Sequence, residues 1–435
     1  MKKYGYLVPI VLVALYVLSI FTLSSGKAEI ETNYNGHIAQ ARSYREQGIY
    51  VDALTEYNSA LEVRSSLELY LEIASLHEEF GMNRLLAELS EELLIMYPKD
   101  ARAYELAMDI YLREFDYGEA FELADKVSKR QLHSEKLDAA IELIEYQYYF
   151  KTDYENVGVY TGGLCPIQIR DKWGYVDLYA DQTVPAQFVK VGPFSPTAEV
   201  APVVDGDGNA YFIDSNGFKK KVVMNVENIQ ELGFVDVDRF PLYNGNFWGF
   251  YMLDGTHVFG EYDQVSSMGN GAAAVMNADT WKIVDRNGVD LTGKSYAAVA
   301  MDERGIMTRN DRCFVSDGVS WSMIDLTGAV KSRNSYDDAR LFLDETYAAV
   351  KMGGKWGFVD KDGNMCIEAQ YEDARSFSNG LAAVKTNGLW GFIDLSGEMV
   401  IEPAFLDAKD FTTQGTVYVL TGDEWELLIL YKYNH

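Results

Sequence analysis

The phrase Trp-Gly-Phe-hydrophobic-Asp-x-x-Gly stands at 356–363 and again at 390–397, 34 residues apart. A chain that repeats itself at so short a period is confined to architectures in which a small unit stacks on copies of itself. About 35 residues cannot bury a face alone. The register extends well beyond these two copies. All seven tryptophans fall in the C-terminal part of the chain: Trp173, Trp248, Trp281, Trp321, Trp356, Trp390 and Trp425. One gap is double-length, and Ala210 fills it, because AYFIDSNG at 210–217 aligns with WGFIDLSG at 390–397. The eight anchors are spaced 37, 38, 33, 40, 35, 34 and 35 residues apart. Six residues before each stands a branched aliphatic: Ile167, Val204, Leu242, Val275, Val315, Val350, Val384 or Val419.

Each unit reads as a three-stranded antiparallel meander. A short apolar strand such as Ala382-Ala383-Val384-Lys385 leads to an Asn387-Gly388 hairpin turn, the pair such turns favour. The Trp strand follows, aromatic and β-branched. Asp177, Asp214, Asp285, Asp325, Asp360 and Asp394 each lie four residues after an anchor. There a carboxylate accepts backbone N–H groups two residues on. Gly217, Gly288, Gly328, Gly363 and Gly397 come three residues later, where a turn needs positive φ. A third strand such as Glu398-Met399-Val400-Ile401 returns.

These residues resemble the WG-repeat family, also called KWG repeats, most closely at 355–405 and least at 200–260, where Trp248 is followed by GFYMLDG. The resemblance implies an extracytoplasmic or surface repeat scaffold with no shared catalytic site. Eight units are expected either to close as a propeller or to remain an open solenoid. Closure removes sheet edges and is the favoured reading. With His435 as its last residue, the final unit is expected to lack its own third strand, and Asn156–Tyr160 is expected to supply it.

Residues 28–152 are rich in Ala, Leu, Glu and Tyr and hold one proline, Pro98. Such composition at a 3.6-residue period predicts amphipathic helices. Ala41, Ala74 and Ala107 recur every 33 residues, and Gly48 and Gly81 share that spacing. Ala53, Ala87 and Ala120 follow at 34 and 33. The pattern resembles the tetratricopeptide repeat, most clearly at 41–61, with Glu114 standing where a third turn glycine is expected. That resemblance implies a concave face for a peptide or partner protein. The bland alternative is a helical spacer.

The chain opens with Lys2 and Lys3, then an almost uncharged run from Tyr4 to Leu23. About 20 apolar residues span a bilayer core as a helix, whereas a cleaved signal's apolar region is shorter. A retained signal anchor over 1–25 is expected, with cleavage near Ala28 as the alternative. The lysines should stay cytoplasmic and place 26–435 outside.

The formal net charge of -28 opposes binding to nucleic acid or to anionic lipid heads. Cys165, Cys313 and Cys366 match neither a disulfide framework nor a zinc site, and are expected to be inert thiols in small core slots. Asp205-Gly-Asp207-Gly-Asn209 lacks the Gly and Glu that a calcium loop needs at positions six and twelve, and reads as a hairpin turn. No residue is assigned a catalytic, cofactor-binding or metal-ligating role, and no cofactor is expected. The tryptophans are expected to be core anchors rather than sugar-stacking platforms.

The resulting expectation is an α + β multidomain chain: an anchor at 1–25, tetratricopeptide-like helices at 28–152, and an all-β domain of about eight three-stranded units at 160–435. Its function is expected to be non-catalytic binding of a protein, peptide or envelope glycan, with a glycan-processing enzyme or a structural spacer as alternatives. The topology is directly testable. Protease added outside intact cells should digest the β domain, and full protection of residues 26–435 overturns the orientation.

Overall fold

A computed structural model of the chain describes residues 29–220 and 229–433. The expected anchor at 1–25 lies outside the described residues. Among those residues no helix is long and apolar enough to cross a membrane. The chain forms two compact units, divided between Glu145 and Tyr146.

The first unit is helical: α1 over 29–46, α2 Tyr50–Val63, α3 Leu67–Glu79, α4 Asn83–Met96, α5 Ala101–Glu114, α6 Tyr117–Lys129 and α7 Glu135–Ile144. Side-chain oxygens start four of them by accepting a free backbone N–H: Ser66 from Leu69, Asp100 from Arg102, Asp116 from Glu119 and Ser134 from Leu137. Ala41, Ala74 and Ala107 are buried, as are Ala53 and Ala120, so the spaced small residues mark close helix contacts. Gly48 and Gly81 turn the chain with φ of 75° and 68°. Glu114 keeps helical geometry, and the left-handed position falls to Phe115, at φ 58°. The helices end at Ile144, short of the expected 152, because residues 148–154 form a strand of the second unit.

The second unit is an eight-bladed β-propeller. Its blades start at Asn156, Lys190, Glu231, Gln264, Ala298, Asp338, Asp373 and Asp407. Blade 7 is representative: an inner strand Asp373–Ala374, then Leu381–Thr386, Leu389–Asp394 and an outer strand Met399–Phe405. The inner strand is only two residues long, and with it five of the blades have four strands among the described residues, where the sequence predicts three.

Blade 8 ends with Glu424–Leu430, and its outer strand is Tyr148–Tyr154, paired antiparallel from Tyr148↔Leu430 to Tyr154↔Trp425. Closure by a strand from the start of the domain is as expected, but the segment is not. Asn156–Val157 is the inner strand of blade 1, so the domain begins near Tyr146 rather than at 160. The ring has eight blade-to-blade interfaces and an apolar cluster in each. The closing one joins Val157, Cys165 and Ile167 of blade 1 to Tyr418, Trp425 and Leu427 of blade 8.

The tryptophans divide. Trp356, Trp390 and Trp425 are buried between blades, whereas Trp173, Trp248, Trp281 and Trp321 are half-buried. Each of the three buried rings has a cation beside it. Arg340 lies 4.7 Å over the Trp356 ring, Lys385 6.0 Å over Trp390 and Lys409 5.4 Å over Trp425. Such side chains cover a ring with their stems as well as their charge. Opposite Trp173 and Trp321 stand Gln168 and Ser316, which give less cover.

The turn reading holds in detail. Asp394 Oδ1 accepts N–H groups from Ser396 at 2.9 Å and Glu398 at 3.0 Å, and Gly397 takes φ 86°. Asp205 likewise accepts from Asp207 and Asn209. Cys165 and Cys313 are buried, and burial pushes both thiols up to about 12. Cys366 is exposed, contrary to expectation, because it sits in an outer strand, Met365–Tyr371, that has no further strand beyond it.

The glycine after Trp173, Trp356 and Trp390 has a role that the sequence reading did not assign. Opposite Gly391 the outer strand carries extra residues between Ile401, paired with Phe392, and Phe405, paired with Trp390. Its backbone arches so close that a Cβ on Gly391 would lie 2.5 Å from the Ile401 carbonyl oxygen. Gly174 and Gly357 sit under the same arch, at 2.5 and 2.6 Å. Blades 4 and 5 carry Lys282 and Ser322 there, and their outer strands shrink to isolated bridges such as Trp281↔Tyr296 and Trp321↔Tyr336. Gly391→Ala should therefore cost about 1–3 kcal/mol, the usual range for forced overpacking. Ser322→Ala should stay within about 0.5 kcal/mol. Equal effects in denaturant unfolding would show that the arch does not require glycine.

Candidate functional site

The site is built from one position repeated eight times. The residue after each inner strand donates its N–H to a carbonyl of the second strand. These residues are Gly158, Gly192, Gly233, Ser266, Ala300, Arg340, Arg375 and Lys409 in blades 1 to 8. They ring the axis of the propeller. In blades 1 to 3 the accepting residue is Pro166, Pro202 or Pro241. A Cβ at the facing glycine would lie 2.8, 2.6 or 2.4 Å from the proline ring, so no side chain fits. Cations occupy the position only in the consecutive blades 6, 7 and 8.

Blade 5 supplies the counter-charge. Its segment after Ala300 turns at Asp302, whose Oδ1 accepts N–H groups from Arg304 at 2.9 Å and Ile306 at 3.0 Å. The turn is held to blade 4 by the Ser267 N–H on the Gly305 carbonyl, at 2.7 Å. Ile306 packs with Phe234 and Leu341 in a small apolar cluster. Glu303 reaches across the axis. Its Oε1 accepts from Arg375 and Lys409, both at 3.1 Å, and its Oε2 accepts from Lys409 at 3.0 Å. Arg375 is also 3.7 Å from an oxygen of Asp410. Arg340 is engaged by Asp373 at 2.9 Å.

Beside this cluster is a pocket of about 550 Å³, lined from blades 1, 5, 6, 7 and 8. Among the described residues, six buried side-chain polar atoms have no hydrogen-bond partner. Three of them, Arg375 Nε, Asp410 Oδ1 and Tyr418 OH, belong to residues lining this pocket. Unsatisfied buried groups are costly, so three of them on residues that line one cavity mark a place built for something other than stability.

The two carboxyls respond to the site in opposite ways. Burial disfavours the Glu303 charge, but Lys409 and Arg375 outweigh it and hold the carboxyl below its ordinary range. Burial pushes Asp410 up, and Arg375 pulls it back only in part. Lys409 also lies over Trp425, so an anchor tryptophan supports a channel cation. The turn aspartates are spent on backbone N–H groups, as at Asp360 and Asp394. Among the described residues no group of three or more His, Cys, Asp or Glu is placed to hold a metal ion.

Glu303, Arg375, Lys409 and Asp410 were not singled out from the sequence. The signal available was the 40-residue interval between Trp281 and Trp321, the longest of the seven, which contains the Glu303 turn.

Residues 321–356, 356–390 and 390–425 match the family described as "WG containing repeat". No curated protein matches the chain. Solved structures similar to it include BamB from Moraxella catarrhalis, with 10% identity, 65% of this chain and 100% of that one covered, and a TM-score of 0.40. A eukaryotic initiation factor gives 12%, 66%, 88% and 0.42. Kluyveromyces lactis Hsv2 gives 12%, 57%, 92% and 0.35. Likeness at this level carries no information about ligand or partner.

The Asp410 carboxyl yields a signed prediction. Its folded pKa lies above the unfolded value of about 3.9, so folding takes up a proton there. That contribution to stability is complete below the unfolded pKa and lost as pH rises through the folded one. Asp410→Asn should therefore raise stability at neutral pH, and the gain should shrink as pH falls toward about 4. Lower stability of the variant at neutral pH would show that its neighbours more than compensate the buried charge.

Proposed function

We propose that the chain is a membrane-anchored, extracytoplasmic, non-catalytic binding scaffold whose ligand seats in the central channel of the propeller. The observation that carries this reading is one pocket of about 550 Å³ whose lining residues include Arg375, Asp410 and Tyr418, each with a buried polar atom that has no hydrogen-bond partner. The anchor rests on Lys2, Lys3 and the apolar run from Tyr4 to Leu23. The helical unit, with its 33–34-residue period and resemblance to the tetratricopeptide repeat, serves a peptide or protein partner. The channel ligand is a protein segment, a peptide or an envelope glycan.

A glycan-processing activity is the second reading, and one observation favours it. Glu303 and Asp410 border one pocket with their carboxyls pushed in opposite directions, the pattern of an acid–base pair. Both Glu303 oxygens are already bonded to cations, which suits a fixed counter-ion better than a nucleophile. Turnover of envelope glycan fragments by the wild type, abolished by Asp410→Asn, would establish the enzyme reading.

A photo-crosslinking residue at Thr413, exposed on the pocket rim, should capture a partner in intact cells. The same residue at Val319, which is 91% exposed on a hairpin of blade 5, should not. Capture at Val319 alone, or at neither position, overturns the channel reading.

A further inference from the structure

We infer that Arg375 and Lys409 form a receptor for a ligand carboxylate, and that Glu303 is the chain's own occupant of that receptor, displaced when the ligand binds. The inference rests on the channel-binding reading and names its ligand class.

The first argument is geometric. Glu303 presents a planar carboxylate to two cations from different blades, with three contacts between 3.0 and 3.1 Å. An arrangement that fits this carboxylate fits another at the same place. The cations are fixed from behind. Arg375 and Lys409 follow inner strands and bond by their backbone N–H to the second strands, and Lys409 also lies over Trp425.

The second argument is that the receptor is less accessible than its occupant. Arg375 and Lys409 side chains are 19% and 21% exposed, whereas Glu303 is 36% exposed and comes from a turn facing the pocket. Removing Glu303 uncovers two cations without dismantling a strand.

The third argument concerns what lies alongside. Asp410 and Tyr418 line the same pocket, and behind its surface Asp410 Oδ1 and Tyr418 OH are buried without hydrogen-bond partners. A carboxylate ligand carrying a neighbouring amide or hydroxyl donor satisfies the clamp and Asp410 together. A net charge of -28 opposes polyanions at long range, so the ligand carries one carboxylate rather than a run of charges. Two sources share this chemistry: the free C-terminus of a peptide, and a uronic acid unit of a glycan.

A tethered competitor leaves a quantitative mark. Apparent affinity falls by the fraction of molecules in which the clamp is open. If Glu303 holds it in all but a tenth of them, its removal tightens ligand binding about tenfold.

The experiment is calorimetric titration of the purified full-length chain with an N-acetylated tripeptide bearing a free C-terminus, with D-glucuronate, and with the amide form of each. Both acids should bind more tightly to Glu303→Gln than to wild type, by about tenfold, and the amides should not bind. Adding Arg375→Gln or Lys409→Gln to Glu303→Gln should abolish binding while circular dichroism stays native. Glu303→Asp, which keeps the charge on a shorter arm, should also tighten binding, and it tests the clamp even where the double variants fail to fold. The tighter of the two acids identifies the source. Unchanged or weaker acid binding by Glu303→Gln, or amides that bind as well as acids, overturns the inference. If acids are silent while Thr413 still captures a partner in cells, the carboxylate receptor fails and the binding scaffold stands.

Discussion

A sheet of three or four short strands has two faces and no means of covering either, and the rest of the β domain follows from the neighbour that covers it. Every large apolar cluster in the ring spans two blades. The pairing of Trp390, Phe392 and Phe405 of blade 7 with Phe411, Val417 and Leu428 of blade 8 is one case. Because the stabilisation lies between units, none is stable alone, and the end units carry the heaviest demand. The ring meets that demand by lending blade 8 the strand Tyr148–Tyr154, so that all eight interfaces are filled and no terminal blade stands bare.

Where the sequence repeats a reason, the fold could be read from it. The Trp anchors, the aliphatic six residues earlier and the Asp-x-x-Gly turns each recur because the same packing or the same backbone N–H recurs, and their count gives the number of blades. The inner strands were not legible. Asp373–Ala374 and Asp407–Ala408 are two residues long, too short for any alternation to register. The closing strand was hidden for another reason. YYFKTDY at 148–154 pairs with residues almost at the other end of the domain, and no local pattern encodes a partner so distant. Cys366 was misread because alignment with Val400 gives its place in the unit but not which face of an edge strand is covered.

The channel was least legible, since its residues depart from the repeat rather than obey it. Arg340, Arg375 and Lys409 occupy a position that is Gly, Ser or Ala in the other five blades, and Glu303 sits in the one long insertion. Repetition reports on packing and irregularity on use. The glycines of blades 1 to 3 make the same point from the opposite side. With proline in the second strand they leave no room for a side chain, and so confine the positive arc to three adjacent blades of a chain with an acid excess of 66 to 38.

The borrowed strand also sets the order of events during synthesis. Tyr148 leaves the ribosome 282 residues ahead of its partner Leu430 (430 − 148). At ordinary elongation rates of roughly 5–20 residues per second, that interval is on the order of tens of seconds. For that time an aromatic strand waits with both edges open, a template for pairing with any other extended chain. Lys151 and Asp153, set in the middle of its aromatic residues, are the kind of charged residues that restrain such pairing. Contacts of this range also slow folding, so the ring can close only after its last strand has been made.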